Sequence, residues 1–449
     1  MAQANSKNSK LSLDQIGQDL YSSVRLNIGF HIWMAILTGA LMACLYAYYL
    51  QLRDGLGVAG IRDFVSWGMY IANFVFFVAT SLVGMLISGI LGLMGVKWIT
   101  PLSRIAEIIA VAFAAVAGLV IVSDMGRPDR LPYVFLYARV QSPILWDVTV
   151  VTSYFLISLL LLYLTTIPDF AMGKKYLDGR PKLLQKVYDI LALGWVGAKE
   201  QVQLLKKAIR IMLILIIPVA IAIHTVTSWL LAVNPRPGWD STIFGPYFVS
   251  GAFVSGIAAL IIAMYFFRSN YKLKNYITDF HFDKVGKLLV LMSIIYIYFN
   301  INELLVPGYK LKTFDAIHLN TLLIGHDALL FWGVQIFGLI VPTILLLFRP
   351  VRKPLPMLLI GIVVLIAAWL KRYLIVVPVQ SHPYLPIQHV PEEFILYKPT
   401  LIEILISVGP IIMVIMIVSV LAKLLPIVPV WETAIHEGAI EETNDEKND

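Results

Sequence analysis

Long apolar runs separated by short polar segments make up most of the chain. A helix needs roughly 20 residues to cross about 30 Å of hydrocarbon, and ten runs are long enough: Gly29 to Leu50, Phe64 to Gly95, Pro101 to Ser123, Pro143 to Pro168, Ala208 to Val233, Phe244 to Phe267, Val285 to Val306, Thr321 to Phe348, Pro354 to Val379 and Thr400 to Leu425. The pattern predicts an all-α integral membrane protein of about ten transmembrane helices. A polar segment (residues 1–28) precedes the membrane domain (29–425), and an acidic tail (426–449) follows it. The second and eighth runs exceed the bilayer and are expected to tilt or to extend beyond it.

Composition agrees with this reading. Of 449 residues, 59% are hydrophobic and 14% charged, with a mean hydropathy of +0.80, whereas soluble domains average about 25% charged residues. Met1 to Arg25 is polar and mixed in charge, so the first span is expected to direct insertion without a cleaved leader. The single cysteine, Cys44, excludes a disulfide framework, a cysteine-ligated cluster and a thiolate zinc site within the chain. Redox chemistry must therefore use other groups or another protein.

The net charge of +7 is informative through its placement. With the amino terminus inside, 24 of the 35 basic residues lie in or beside inner segments and 9 in outer loops, which predicts cytoplasmic termini. The longest inner loop, Asp169 to Lys207, is rich in lysine, and Leu183 to Leu205 within it reads as an interfacial amphipathic helix. Lipid contact or partner docking would both suit it. Nothing calls for nucleic acid. Glu437 to Asp449 is expected to be disordered.

This topology gathers the polar clusters on the outer side: Asp124 to Asp147, Asn234 to Thr242, and Ser381 to Pro399. Asp124 and Asp147 are separated by 23 residues, as are Glu303 and His326. Two four-helix units, spans two to five and six to nine, would produce that repeat, with spans one and ten flanking them.

Ionisable groups within spans are costly and are candidates for function. They are Glu107, Asp147, His224, Glu303, His326, Asp327, Lys371, Arg372 and Glu403, all but Glu107 in the outer half. A quinone head group needs proton partners on its oxygens and an apolar slot. Asp147, preceded by Trp146, would supply a carboxyl and an aromatic wall, and His224 a second proton partner or a satisfied core histidine. Gly126, Pro128, Pro132 and Pro143 stiffen the adjoining loop, where Arg127, Arg130 and Arg139 could pair with Asp124, with Asp129 or with a partner protein. A two-haem cytochrome is disfavoured because His31 has no companion at its depth. No nucleotide or zinc-protease motif appears. A proton-coupled transporter and a purely structural anchor remain the alternatives.

Gly126-Arg127-Pro128, Ser142 to Asp147, Ile167-Pro168-Asp169, Pro237 to Val249, Ile277-Thr278-Asp279 and Arg372 to Val377 resemble, in order, the NrfD/polysulfide reductase (PsrC-like) membrane-subunit family, in particular its ten-span ActC branch from alternative complex III. The resemblance implies a quinone-reactive subunit of a respiratory oxidoreductase in a prokaryotic cytoplasmic membrane. It would bind menaquinone or ubiquinone, carry no haem or metal, and exchange electrons with an outer-face 4Fe–4S ferredoxin-like iron–sulfur subunit and further redox subunits. By position, Asp124, Asp147 and His224 match the proton-handling places. Arg372, and with Trp146 the PGWH-type pair Trp239 and Asp240, match the quinone's surroundings. Two positions depart from the pattern: Leu230 and Leu231 stand where an acid is expected, and Asp240 replaces the histidine. Proton translocation follows less directly from the resemblance than quinone binding.

Overall fold

The computed structural model describes residues 12–62, 64–177, 182–381, 391 and 396–440. Among the described residues there is no strand, and ten helices are long and apolar enough to cross a membrane. They are α1 (Ile28–Asp54), α2 (Met69–Leu91), α3 (Thr100–Ser123), α4 (Pro143–Gly173), α5 (Lys199–Ala232), α6 (Phe244–Asn270), α7 (Asp279–Lys310), α8 (Ala328–Leu345), α9 (Pro354–Gln380) and α10 (Leu401–Leu424). Each falls on one of the ten apolar runs. Their starts carry local signals: the Asn27 side chain accepts the Phe30 N–H, Thr400 accepts that of Glu403, and Pro101, Pro143 and Pro354 occupy first turns.

Helices α2 to α5 pack as one four-helix bundle and α6 to α9 as another, joined where α2 and α5 meet α6 and α2 meets α9. Helix α10 lies between α1 and α3, so α1 and α10 flank the first bundle. The most apolar stretch of α2 is 89% buried and that of α1 only 11%. The central and lipid-facing helices are thereby distinguished, although both are uniformly apolar in sequence.

Four details depart from the sequence reading. The inner-loop helix is Lys182–Leu191, not Leu183 to Leu205; Leu193, Gly194 and Gly197 take positive φ (48°, 68° and 78°), ending it and letting α5 start anew at Lys199. Residues 64–68 are not helical, because side chains rather than helical carbonyls hold that backbone. Gln380 Oε1 accepts the Trp67 N–H at 3.0 Å, while its Nε2 donates to the Trp67 carbonyl at 2.8 Å. The eighth run is not one tilted helix either: Thr313–Leu323 is separate, and the chain turns at 324–327 before α8. Finally, the 426–449 segment begins with a helix, Val430–His436, whose Val430, Thr433 and Ala434 are buried. Residues 441–449, 382–390 and 392–395, which include much of the third outer cluster and of the acidic tail, lie outside the described residues.

The 23-residue repeat holds for one pair only. Asp124 Oδ1 and Glu303 Oε2 are both buried without a hydrogen bond, but Asp147 is buried whereas His326 is exposed in the 324–327 turn, bonded to Asp327 at 3.0 Å. The break before α8 is what removes His326 from an interior position.

Candidate functional site

A groove of about 1100 Å³ lies among α1, α2, α3, α6, α9 and α10. It runs from Asn27, Asn270 and Lys423 at one set of helix ends to Met69 and Ile404, where α2 and α10 begin. Its walls are mostly aromatic and aliphatic. Trp33, Phe266, Ile366 and Ile411 are 44%, 48%, 56% and 46% exposed, so it opens on the flank that faces lipid. A long apolar molecule could enter from the bilayer.

Several polar groups stand towards the end where α2 and α10 begin. Asn73 lies on the second turn of α2; its Oδ1 accepts the Trp369 indole N–H at 2.6 Å, and its Nδ2 is buried without a partner. Ser407 of α10, also on the groove, has a buried hydroxyl with no hydrogen bond. Each such group costs about 1–3 kcal/mol when unsatisfied, so a ligand with carbonyl or hydroxyl oxygens would gain by pairing with them.

Beyond them, Glu403 is fully buried in the first turn of α10. It accepts the Gly60 N–H at 2.9 Å, and the Tyr397 hydroxyl donates to it while accepting the Met69 N–H at 2.9 Å. A Cβ on Gly60 would stand 2.2 Å from the Lys398 carbonyl oxygen, which is why this close approach needs glycine. Asp124, at the end of α3, lies within electrostatic reach of Glu403. Burial, reinforced by that charge, pushes the Asp124 carboxyl up to about 7. A protonated-carboxyl infrared band is therefore expected to be strong at pH 5, to lose half its intensity near pH 7 and to vanish by about pH 9. Asp124→Asn should remove it, and a band titrating near pH 4 would refute the assignment.

Asp147 sits a turn inside α4, buried, with Oδ1 accepting the Thr227 hydroxyl of α5 at 2.5 Å. His224 is one turn earlier on α5. Its Nδ1 bonds the Ala220 carbonyl at 2.9 Å, which makes Nδ1 the protonated nitrogen and leaves Nε2 buried without a partner. It is within electrostatic reach of Arg372 on α9, whose guanidinium lies 3.5 Å from the Tyr296 hydroxyl. That guanidinium needs Gly251: a Cβ there would meet Nη2 at 3.0 Å. Arg372 opens a polar interior in the second bundle, where Asn300 Oδ1 accepts from Tyr247 and Gln335, both at 3.2 Å, and Lys371 lies 5.9 Å from the Tyr247 ring and 5.3 Å from the Phe331 ring.

The sequence-selected residues thus occupy several places. Asp124 lies within electrostatic reach of Glu403; Asp147 on α4 bonds Thr227 of α5, one turn from His224; Arg372 on α9 lies within electrostatic reach of His224. Trp146, half-buried, donates its indole N–H to the Val140 carbonyl in its own loop. Trp239 is buried, donates to the Ile375 carbonyl at 2.7 Å and packs on Trp67 at 5.8 Å, while Asp240 is exposed. Neither these three nor Asp147 lines the groove among the described residues. In the loop, Arg127 pairs with Asp129 at 2.8 Å. A search for ionisable groups passes over Asn73, Trp369, Ser407 and Thr227, all neutral; the amide of Asn73 within an otherwise apolar stretch of α2 is the one legible signal. Among the described residues, no group of three or more histidine, cysteine or acidic side chains is placed to hold a metal ion.

The family described as "Polysulphide reductase, NrfD" matches residues 57–383. A selenate reductase subunit of Mesobacillus selenatarsenatis is 27% identical over 408 residues, covering 88% of this chain and 94% of that one. The Hdr-like menaquinol oxidoreductase integral membrane subunit of Archaeoglobus fulgidus is 25% identical over 432 residues, 92% and 96% of the two chains. A putative dimethyl sulfoxide reductase membrane subunit of Halobacterium salinarum is 26% identical over 335 residues, 72% of this chain and 70% of that one.

Proposed function

From the premise that this chain belongs to the NrfD polysulphide reductase family, we propose that it is the quinone-reactive membrane subunit of an oxidoreductase complex. The observation that carries the proposal is the groove: apolar along its length, open to lipid, and furnished near one end with buried polar groups that lack partners. Such a site fits an isoprenoid quinone, with the tail along the aromatic wall and the head-group oxygens on Asn73 Nδ2 and Ser407 Oγ. The relative from Archaeoglobus bears menaquinol in its name, and menaquinone is the substrate we assign here.

Conversion between quinol and quinone moves two electrons and two protons. In our reading the electrons pass to or from an iron–sulfur subunit docked on the outer face, since a single cysteine cannot hold a cluster within this chain. The protons pass through Glu403 and Asp124, the buried carboxyls beyond the head-group end of the groove. Asp147 and His224 form a second proton-bearing set in the first bundle. The basic-residue asymmetry supports cytoplasmic termini and a head-group end of the groove near the outer surface.

The test has two arms. A short-chain naphthoquinone should bind the purified chain saturably and quench tryptophan fluorescence, with the quench reduced in Trp369→Phe; absence of saturable binding would reject the site. In the assembled complex, Asp147→Asn should lower quinone-linked turnover at least about 100-fold, the lower end of what a positioned proton carrier contributes, with assembly intact. Unchanged turnover would remove Asp147 from the proton path, and solute uptake by liposomes holding the chain alone would favour a transporter.

A further inference from the structure

A second pocket, of about 350 Å³, lies at the opposite ends of the helices from Asn73 and Glu403. Ala171 and Met172 of α4 form its floor, Val202 and Lys206 of α5 one side, and Trp195 and Trp431 two further walls. The indoles meet edge to face, with centroids 6.2 Å apart. Both walls are fixed by the chain itself. The Trp431 backbone N–H donates to Asp169 Oδ1 at 2.9 Å, and Gln201 accepts the Val196 N–H at 3.0 Å while donating to the Gly194 carbonyl at 3.3 Å, which braces the turn that presents Trp195.

The rim is basic. Lys199, Val202, Lys206 and Arg210 recur at spacings of three and four and so share one face of α5. Val202 is buried on the pocket, whereas the three cationic residues are exposed. Paired indoles beside an apolar floor suit the glycerol and upper acyl region of a lipid, the depth at which tryptophan concentrates in membrane proteins. A cationic stripe just beyond that depth suits a phosphate with no compensating ammonium.

We infer that this pocket holds an anionic phospholipid of the leaflet facing the basic side of the protein. The acyl chains would lie against Ala171, Met172 and Val202, the glycerol region between Trp195 and Trp431, and the phosphate on Lys206 with Lys199 and Arg210 nearby. The site is separate from the groove of α2, α9 and α10 and makes no use of the redox reading.

Native mass spectrometry of the full chain, released from nanodiscs containing equal fractions of phosphatidylglycerol and phosphatidylethanolamine in phosphatidylcholine, tests this. Phosphatidylglycerol adducts should dominate. Lys206→Gln should reduce them about fivefold, the effect of one cation near a charged lipid, and Trp195→Ala should do the same with the thermal midpoint unchanged. Lys312→Gln, beyond the other end of the helices, should leave the adducts as they are. Equal retention of phosphatidylethanolamine, or undiminished phosphatidylglycerol in Lys206→Gln, would overturn the assignment. So would adducts that form only after residues 441–449 are deleted, since the pocket would then belong to the chain's own C-terminal segment.

Discussion

Replacing Asn73 by leucine is expected to abolish most quinone-linked turnover of the assembled complex while leaving the fold in place. Leucine branches at the same carbon as asparagine and is of similar length, so the α2 backbone and the groove keep their shape. Two interactions are lost: the unpaired Nδ2–H₂ facing the groove, and the Oδ1 that accepts the Trp369 indole at 2.6 Å. The first is the donor we assign to a quinone oxygen, and the second orients the ring beside it. Loss of one preorganised donor that acts on developing charge lowers turnover by about 100-fold. Trp369→Phe, which removes the indole that Asn73 Oδ1 accepts while keeping the amide donor, separates the two effects. Under the donor role it retains most of the turnover; a loss as large as that of Asn73→Leu would show that Asn73 serves only to position Trp369. The measurement is quinol-dependent reduction in membranes, normalised to assembled complex.

Arg104→Met should produce the largest loss of stability. Arg104 is fully buried in α3, its Nη2 bonded to Asp169 Oδ2 at 3.0 Å and to the Thr165 carbonyl at 2.9 Å, with Glu107 Oε2 at 3.9 Å from Nε. Its Nη1 reaches the Pro426 carbonyl at 3.5 Å. One guanidinium therefore ties α3, α4 and the segment after α10 around two buried carboxyls. Removing it leaves those acids without their counter-charge, at a cost of about 3–5 kcal/mol, which for a chain of this length is a fall of about 4 °C in the thermal midpoint. Adding Asp169→Asn should recover part of the loss, because the amide oxygen still accepts the Trp431 N–H while one uncompensated charge disappears. A midpoint unchanged in Arg104→Met would refute the argument.

Both predictions rest on groups whose importance is unequally visible in the chain. Arg104 and Asp169 are charges at the edges of apolar runs, and charge pattern alone assigns both to the general basic and loop character of one side. Asn73 does not interrupt its run, because a single neutral amide carries too small a hydropathy penalty. Glu403 stands out by its charge, but nothing local shows that it pins the 60–69 backbone across more than 300 residues of chain.

The succession of apolar runs by itself determined the number of spans, their helical state and the side on which basic residues collect. These depend on local quantities, residue transfer energies and helix length against bilayer thickness, and need no knowledge of neighbours. Which helices are central, where a groove opens and which polar atoms lack partners are properties of packing. Helices α1 and α2 are both strongly apolar, and only contact with the rest of the bundle buries one and exposes the other. The same holds for turns: whether Gly194 ends a helix, or 324–327 breaks a long run, follows from a backbone dihedral and the surface it must meet. For that reason Asp124 and Asp147, close in sequence and identical in type, end in different surroundings, one within electrostatic reach of Glu403 and the other against Thr227.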